Sequence, residues 1–318
     1  MDHRFLRVFF FAVVIACVQT AALPQDLQSP PDETPASRQR RLYNESKPYL
    51  NDSLFELQKA MPELRGLKAG EKDLPTLLTD VGQEIEKLSL QMPNLISRED
   101  VTQTSPGSRS GHSSNQQFNY LILVRRTTTG AEMSEYRTDL QNRSIGQPGE
   151  DPRAPTAHGF VLAWAYFHPT VRTESQFRYL GRQKIDGRNA YVVAFTQTPG
   201  LVHAPGEIRV GRESFPMLYQ GVAWIDESSF RILRLRTDLL TPQPEAQLQN
   251  LTTTVDFAEV RIPHSSLRLW LPRMAVVEWE TVPRNSVDLS PTVASGRYIE
   301  RHLYSHYHLY QVEIKIGS

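Results

Sequence analysis

Two hairpin motifs constrain the fold of this chain more than any other feature of its sequence. Residues 180–195 read LGRQKIDGRNAYVVAF and residues 221–235 read GVAWIDESSFRILRL, so each has an apolar run, a polar turn and a second apolar run. Asp186 and Gly187 suit a two-residue type I′ turn, because glycine accepts a positive φ and aspartate tolerates one. In the second motif the chain reverses after Trp224, over residues 226–229. Together the motifs predict a curved antiparallel sheet.

The N-terminus has the pattern of a secretory signal. Arg4 and Arg7 precede an uncharged apolar run, residues 8–18, that is too short for a stable membrane anchor. Signal peptidase cleavage after Ala22 is one route; in the other, residues 14–17 form a lipobox and Cys17 carries a lipid that tethers the protein to a membrane. Labelled palmitate, offered to wild type and to Cys17→Ala, separates the routes. Both predict export, to the periplasm or the outer membrane of a Gram-negative bacterium.

Charge and cysteine content argue against several classes of protein. The 35 basic and 35 acidic residues balance, which leaves no broad positive field to attract nucleic acid, so no nucleic-acid partner is expected. Cys17 is the only cysteine, so the mature protein has no disulfide, no thiolate metal site and no cysteine nucleophile. With 39% hydrophobic and 22% charged residues, the chain has the composition of a globular protein.

Changes of pattern divide the chain into five predicted parts. They are a signal peptide at 1–22 (or a lipoprotein signal ending before Cys17), a disordered linker at 23–42, an N-terminal helical segment at 43–104, a flexible loop at 105–117 and a β domain at 118–318. In the helical segment, Ser53 and Glu56 predict a capping box at the start of the first helix. The second helix is predicted to begin near Asp73 and to end at Pro93.

Beyond residue 117 the hydrophobic period is that of β-strands. Strands are predicted at 118–126, 132–140, 177–185, 190–196, 222–225, 230–237, 252–262, 274–281 and 297–316. In the first hairpin, alternation places Phe177 and Tyr179 on one face and Arg178 and Arg182 on the other. Residues 190–196 are apolar on both faces, which indicates a central strand. The long loop at 199–217 could serve as a lid.

Residues 159–167, GFVLAWAYF, are apolar on every side. A segment of this kind must be buried on all sides, and it is too short to cross a bilayer. Periodicity cannot separate a buried helix from a buried strand over so few residues. We favour a helix held inside the curve of the sheet.

The order of these motifs resembles that of the LolA-like group of periplasmic lipoprotein carriers, with its LolB-like and RseB-like relatives. The resemblance rests on the IDGR turn, the YVV strand, the long loop, the WID hairpin with its ILRL strand, and LWLP before Met274, and it covers roughly residues 118–316. It implies an α+β fold, an incompletely closed antiparallel β half-barrel wrapped around a buried helix. The N-terminal helical segment looks more like a feature of uncharacterised exported proteins from soil bacteria of acidobacterial type.

The same resemblance implies an apolar cavity that accepts acyl chains, and no cofactor. Such a cavity needs apolar walls and few polar groups. The extra N-terminal helices could instead fill it. The residues predicted to line the cavity are Trp164, Tyr166, Phe167, Phe177, Tyr179 and Trp224.

Motifs for chemistry are weak in this sequence. The patterns G-x-S-x-G and H-E-x-x-H, and S-x-x-K with its partner motifs, do not occur. His302, His306 and His308 alternate along the last strand, but no carboxylate clearly joins them, so hydrogen-bonded or solvent-facing histidines are the better interpretation and no metal site is predicted. Asp226 is expected to accept backbone N–H groups at its turn.

Three functional hypotheses follow from the sequence. The first is a non-enzymatic cell-envelope protein that binds an acyl chain, a lipid or a lipoprotein in the cavity of a half-barrel. The second is an RseB-like module for envelope protein–protein interaction or sensing, without cargo. The third is an envelope hydrolase, for which the sequence offers no nucleophile and base pair.

Overall fold

The computed structural model describes eight continuous stretches of the chain and two single positions. The stretches are 44–106, 113–127, 130–145, 159–203, 206–210, 213–243, 246–281 and 296–310, and the single positions are 37 and 41. The predicted signal with Cys17, nearly all of the linker and the last residues of the predicted final strand lie outside these residues.

Ten antiparallel strands form one sheet that does not close. With the two strands of a separate hairpin, the described residues contain twelve strands: β1 Leu95–Thr104, β2 Ser114–Thr127, β3 Gly130–Thr138, β4 Ser175–Ile185, β5 Arg188–Gln197, β6 Gly206–Val210, β7 Glu213–Met217, β8 Tyr219–Asp226, β9 Ile232–Leu239, β10 Leu248–Arg261, β11 Arg268–Thr281 and β12 Gly296–Leu309. The order in the large sheet is β3-β2-β1-β12-β11-β10-β9-β8-β5-β4, and β6 and β7 form a separate two-stranded sheet. Within the described residues β3 and β4 are the edges, which confirms the predicted open half-barrel.

Register shifts curve the sheet. They occur in β4 between Tyr179 and Gly181, between β8 and β9 at Trp224 and Ile225, and in two further strand pairs. A bulge bends the strand that carries it and increases its twist. Five such irregularities, spread over four strand pairs of a ten-stranded sheet, therefore account for its curvature.

Both hairpins that constrain the fold are confirmed. Asp186 and Gly187 have φ angles of 47° and 81°, as a type I′ turn requires. At the second turn, the Oδ1 of Asp226 accepts the backbone N–H groups of Ser228 and Ser229 at 3.0 and 2.8 Å. Burial acts to raise the pKa of Asp226, but hydrogen bonds from the hydroxyls of Ser228 and Ser229, from the Ser229 N–H and from Arg188 outweigh it and hold the pKa at about 2. Asp226 therefore stabilises the turn, as predicted.

Two α-helices and three short 3₁₀-helices whose bounds fall within the described residues accompany the sheet. They are α1 Leu54–Ala60, α2 Leu74–Gln91 and the 3₁₀-helices Pro62–Leu64, Val161–Phe167 and Arg172–Glu174. The predicted capping box of α1 is present, with Ser53 N donating to Glu56 Oε2 at 2.9 Å and Glu56 N donating to Ser53 Oγ at 3.2 Å. None of the described helices has the length and apolar character to span a membrane.

The segment that contains α1 lies on one side of the sheet, here called the outer face. Arg178, Ala194, Val222 and Arg236 are successive cross-strand neighbours and therefore share this face. Arg178 donates to the carbonyl groups of residues 50 and 52 at 3.2 and 2.5 Å, and Arg236 pairs with Glu63 at 2.8 Å. These contacts fix the α1 segment against the outer face.

The opposite side, here called the inner face, carries the 3₁₀-helix Val161–Phe167, here called the inner helix. Phe177 and Phe195 are cross-strand neighbours on this face, and the ring of Phe167 lies 5.2 and 5.7 Å from their rings. Gly82 of α2 faces Pro169 and the backbone of Phe167, so α2 packs against the inner helix. The prediction of a buried helix inside the curve is confirmed, and the helix is of the 3₁₀ kind.

The connection between α1 and α2 crosses the edge strand β4. Lys68 and Arg182 exchange two backbone hydrogen bonds, each 2.8 Å long. Gly181 has a φ of 143°, and a Cβ on it would lie 2.2 Å from the Lys68 carbonyl oxygen, so this close approach requires glycine. The connection protects the β4 edge from pairing with another chain.

The sequence-based assignment differs from the structure in three places. Residues 95–104 form strand β1, whereas the sequence predicts that they belong to the helical segment. Two inward positions of this strand are the polar Ser97 and Glu99, and they hide its period of two. The loop at 199–217 contains the β6–β7 hairpin. The shift at Gly181 reverses the alternation in β4, so Arg182 pairs with Tyr191 on the face of Tyr179.

Candidate functional site

The inner face is the candidate site, and it has an apolar end and a polar end. One row of cross-strand neighbours runs from Phe195 through Gly221, Thr237, Thr253, Val277 and Glu300 to Gln103. Neighbours in register project from the same face of a sheet. The two groups of strands therefore share the inner face. Its apolar end is formed by β4, β5 and β8, and its polar end is formed by β1, β2, β3 and β12.

Aromatic rings fill the apolar end. Tyr166 and Phe167 of the inner helix lie 4.8 and 5.7 Å from Phe195, measured between ring centroids, and Phe177 lies 6.2 Å from the same ring. Phe167 and Phe195 have no exposed surface. Aromatic pairs of this kind contribute about 0.5–1.5 kcal/mol each beyond the area they bury. The apolar end is thus a packed aromatic wall.

Five of the six residues predicted to line a cavity belong to the inner helix or the inner face. Trp164 is buried in the inner helix with Tyr166 and Phe167, and Tyr179 lies on β4 with its ring 6.3 Å from Tyr191. Trp224 does not join them. It pairs with Val192 and Arg234, its indole N–H donates to Gln183 Oε1 at 2.8 Å, and it projects from the outer face.

A buried ionic network forms the polar end. Arg137 donates from Nε and Nη2 to the two oxygens of Glu99 at 2.5 and 2.7 Å, and the hydroxyl of Tyr304 donates to Glu99 at 2.8 Å. The side chain of Glu99 is fully buried and that of Arg137 is 6% exposed. Burial acts to raise the pKa of Glu99, but the Arg137 guanidinium outweighs it and holds this pKa well below its usual range.

His302 lies between two carboxylates of this network. Its Nδ1 is 2.9 Å from Glu99 and its Nε2 is 3.4 Å from Glu300. Two carboxylates this close to the ring favour the protonated, positively charged form of His302. Burial acts to lower the pKa of His302, but Glu300 and Glu99 outweigh it and raise the pKa.

Glu135 holds the start of the inner helix. One of its oxygens accepts the N–H of Gly159 at 3.0 Å and the other accepts the N–H of Val161 at 3.1 Å. The hydroxyl of Tyr120 also donates to Glu135. Beside these contacts the ring of Phe160 lies 4.9 Å from the ring of His302. The polar end of the sheet is therefore attached to one end of the inner helix.

The three histidines of the last strand do not form one group. His302 is completely buried, whereas His306 and His308 are exposed, and His306 has a positive φ of 54° that breaks the alternation of the strand. Among the described residues no group of three or more histidine, cysteine or acidic side chains is arranged to hold a metal ion. In the sequence, the network could have been inferred from the spacing of Glu300 and His302, which lie two residues apart on one strand and so share a face.

The pH dependence of stability should report the charge on His302. Because its pKa is raised on folding, its stabilisation is complete below the unfolded-state pKa of about 6.5 and is lost as pH rises through the folded-state value. We expect the free energy of unfolding of wild type to fall as the pH rises above about 6.5, and that of His302→Gln to vary less. Urea denaturation at a series of pH values measures this. An equal pH dependence of the free energy of unfolding in the two proteins would contradict a raised pKa of His302.

No family model matches the sequence, and no curated relative matches it either. Solved structures to which the chain is similar include a LolA superfamily protein from Nitrosomonas europaea, with 11% identity, 74% of this chain and 94% of that chain covered, and a TM-score of 0.36. An outer membrane lipoprotein-sorting protein domain from Vibrio parahaemolyticus has 13% identity, coverage of 74% and 92%, and a TM-score of 0.41.

A third similar structure is the lipoprotein LppX from Mycobacterium tuberculosis, with 10% identity, coverage of 76% and 100%, and a TM-score of 0.27. Likenesses with TM-scores below 0.5 carry no inference about ligand or role, so a function has to be argued from the inner face itself. The chain is similar, over about three quarters of its length, to solved structures from the LolA-like group that its motifs resemble.

Proposed function

We propose that this protein is a non-enzymatic component of the cell envelope that binds an acyl chain, a lipid or a lipoprotein between the inner face and the inner helix. Its place in the envelope is proposed from the signal-like N-terminus, either as a soluble protein or with a tether at Cys17. The proposal agrees with what the LolA-like motifs imply. The observation that carries it is the apolar end of the inner face, covered by one short helical segment.

The inner helix is suited to being displaced. It is a 3₁₀-helix of seven residues. Helices of this kind have poorer hydrogen-bond geometry than α-helices, and runs beyond three or four residues are uncommon. The inner helix therefore depends on its side-chain contacts with the sheet and α2, and a competing apolar ligand can replace those contacts. Seven residues occupy a volume of the same order as a ligand site of roughly 300–1,000 Å³.

Substitution of Phe177 should separate ligand binding from folding. Phe177 is a partly buried member of the aromatic wall on the edge strand β4, so a carboxylate there would face the proposed acyl chain. We expect Phe177→Asp to weaken uptake of the fluorescent probe N-phenylnaphthylamine by about tenfold or more, because the charge would be buried without a partner. Probe titration measures the affinity, and circular dichroism establishes that the variant is folded.

Phe55→Asp is the matched control for this experiment. Phe55 belongs to α1 on the other side of the sheet and is 75% exposed. We expect this variant to take up the probe as wild type does. If folded Phe177→Asp and Phe55→Asp bind the probe with equal affinity, the aromatic wall is not part of the binding site.

A second candidate function is an envelope protein–protein interaction or sensing module without cargo. The observation that favours it is that the aromatic rings already fill the apolar end, since Phe167 and Phe195 are completely buried against each other. In that case the inner helix is a permanent part of the core. Wild type that fails to take up N-phenylnaphthylamine or any acyl chain would favour this candidate.

A further inference from the structure

The polar contacts of the inner helix with the sheet concentrate at its first residues. Glu135 accepts the N–H groups of Gly159 and Val161, one on each carboxylate oxygen. The side chain of Phe167, at the other end of the helix, makes apolar contacts with the aromatic wall. The inner helix thus has a hydrogen-bonding head at Glu135 and an apolar tail at Phe177 and Phe195.

The distance between head and tail follows from helix geometry. Seven residues of 3₁₀-helix rise about 2.0 Å each, which gives a length of roughly 14 Å. An extended acyl chain of a dozen or so carbons has about this length. A chain of that size could replace the inner helix from the aromatic wall to Glu135.

Glu135 sets a chemical requirement on anything that replaces the inner helix. Glu135 is 7% exposed and accepts a hydrogen bond from the hydroxyl of Tyr120. The guanidinium of Arg137 lies 5.9 Å from the ring of Tyr120. These contacts hold the surroundings of Glu135 in place. A buried carboxylate that loses two N–H donors without replacement is strongly destabilised. A ligand that supplies N–H donors at this position avoids that cost, whereas one that lacks them does not.

We propose that the ligand is an amphiphile whose headgroup donates N–H hydrogen bonds, with an ammonium group as the best fit, and that Glu135 selects it. In this structure Gly159 and Val161 occupy the headgroup position in place of the ligand. The inference rests on the proposed function, and it adds the headgroup chemistry and the residue that recognises it. Charge contributes because a buried carboxylate attracts a cation strongly. N–H geometry contributes because each oxygen of Glu135 accepts one N–H group at this position.

Three amphiphiles with the same chain separate these contributions. Dodecylammonium offers charge and N–H donors, dodecyltrimethylammonium offers charge alone, and methyl dodecanoate offers neither. Each competes with N-phenylnaphthylamine for the full-length protein, below its micelle concentration. We expect wild type to bind dodecylammonium at least about tenfold more tightly than either of the others, the discrimination typical of a site whose buried polar group would be left unpaired.

Two variants of β3 assign the preference to Glu135. Glu135→Gln keeps the size of the side chain but removes its charge and one of its two acceptors, so we expect it to lose most of the tenfold preference. Glu132→Gln is the matched control, because Glu132 lies on the same strand in an exposed ion pair with Arg125. We expect Glu132→Gln to keep the wild-type preference.

Each outcome bears on the headgroup inference, on the proposed function or on both. Equal binding of the three amphiphiles by wild type would overturn the headgroup inference and leave the acyl-binding function standing. Equal binding of the two ammonium compounds would overturn the role of N–H donors. Binding of none of the three, with no probe uptake, would overturn the proposed function and the inference together. If Glu135→Gln fails to fold, the comparison of the two ammonium compounds in wild type still decides the inference.

Discussion

Replacement of Arg137 by methionine is expected to destabilise the protein by about 3–5 kcal/mol, the usual cost of leaving one member of a buried ion pair without its partner. Arg137 and Glu99 are buried together, and Glu99 accepts two hydrogen bonds from the guanidinium. Without Arg137, the buried Glu99 would have only His302 as a positively charged partner. Urea denaturation at neutral pH, followed by circular dichroism, measures the free energy of unfolding.

The control for this variant lies on the neighbouring strand. Arg125 pairs with Glu132, but its side chain is 76% exposed, so Arg125→Met should cost less than about 1 kcal/mol. Adding Glu99→Gln to Arg137→Met should restore part of the lost stability, because the unpaired charge is then removed. A loss in Arg137→Met no greater than that in Arg125→Met would show that the network does not hold the polar end together.

Replacement of Gly221 by alanine is expected to cost about 3 kcal/mol, at the upper end of the usual range for an overpacked core. A Cβ at this position would lie 2.2 Å from the carbonyl oxygen of Arg236 and 2.6 Å from the ring of Phe195. The clash involves backbone on one side and the fully buried ring of Phe195 on the other, so neither can move freely. Thermal or urea unfolding measures the loss.

Gly70→Ala is the matched control for Gly221→Ala. A Cβ at Gly70 would meet its nearest neighbour, the hydroxyl of Tyr179, at an ordinary 3.9 Å. Its stability should stay close to that of wild type. If Gly221→Ala proves as stable as Gly70→Ala, the ring of Phe195 cannot be packed on the backbone of β8 as described.

Local signals in the sequence predicted the hairpins and the start of α1. Asp186 and Gly187 determine their turn through their own backbone preferences, and Ser53 and Glu56 cap α1 within a single turn. The inner helix was recognisable because a segment that is apolar on every side has to be buried. These features depend on residues close together in the chain, which explains why reading the sequence alone was sufficient.

The polar end depends on partners that are far apart in the sequence. Arg137 is 38 residues from Glu99, and His302 is 203 residues from it. Only when the strands pair do these charges meet, so in the sequence Glu99 looks like a surface residue and β1 has no apolar alternation. The sequence also does not show from which face of the sheet Trp224 projects. Every residue of β8 is buried, so its pattern does not distinguish the two faces.

Native mass spectrometry of protein purified from its own cell envelope, combined with extraction of bound lipid, tests the acyl-binding function most directly. The proposed site between the inner face and the inner helix predicts a co-purifying amphiphile with one acyl-chain region and an N–H-bearing headgroup, and predicts its loss in Phe177→Asp but not in Phe55→Asp. Protein that is consistently free of any acyl species, although folded and from its native envelope, would contradict the account.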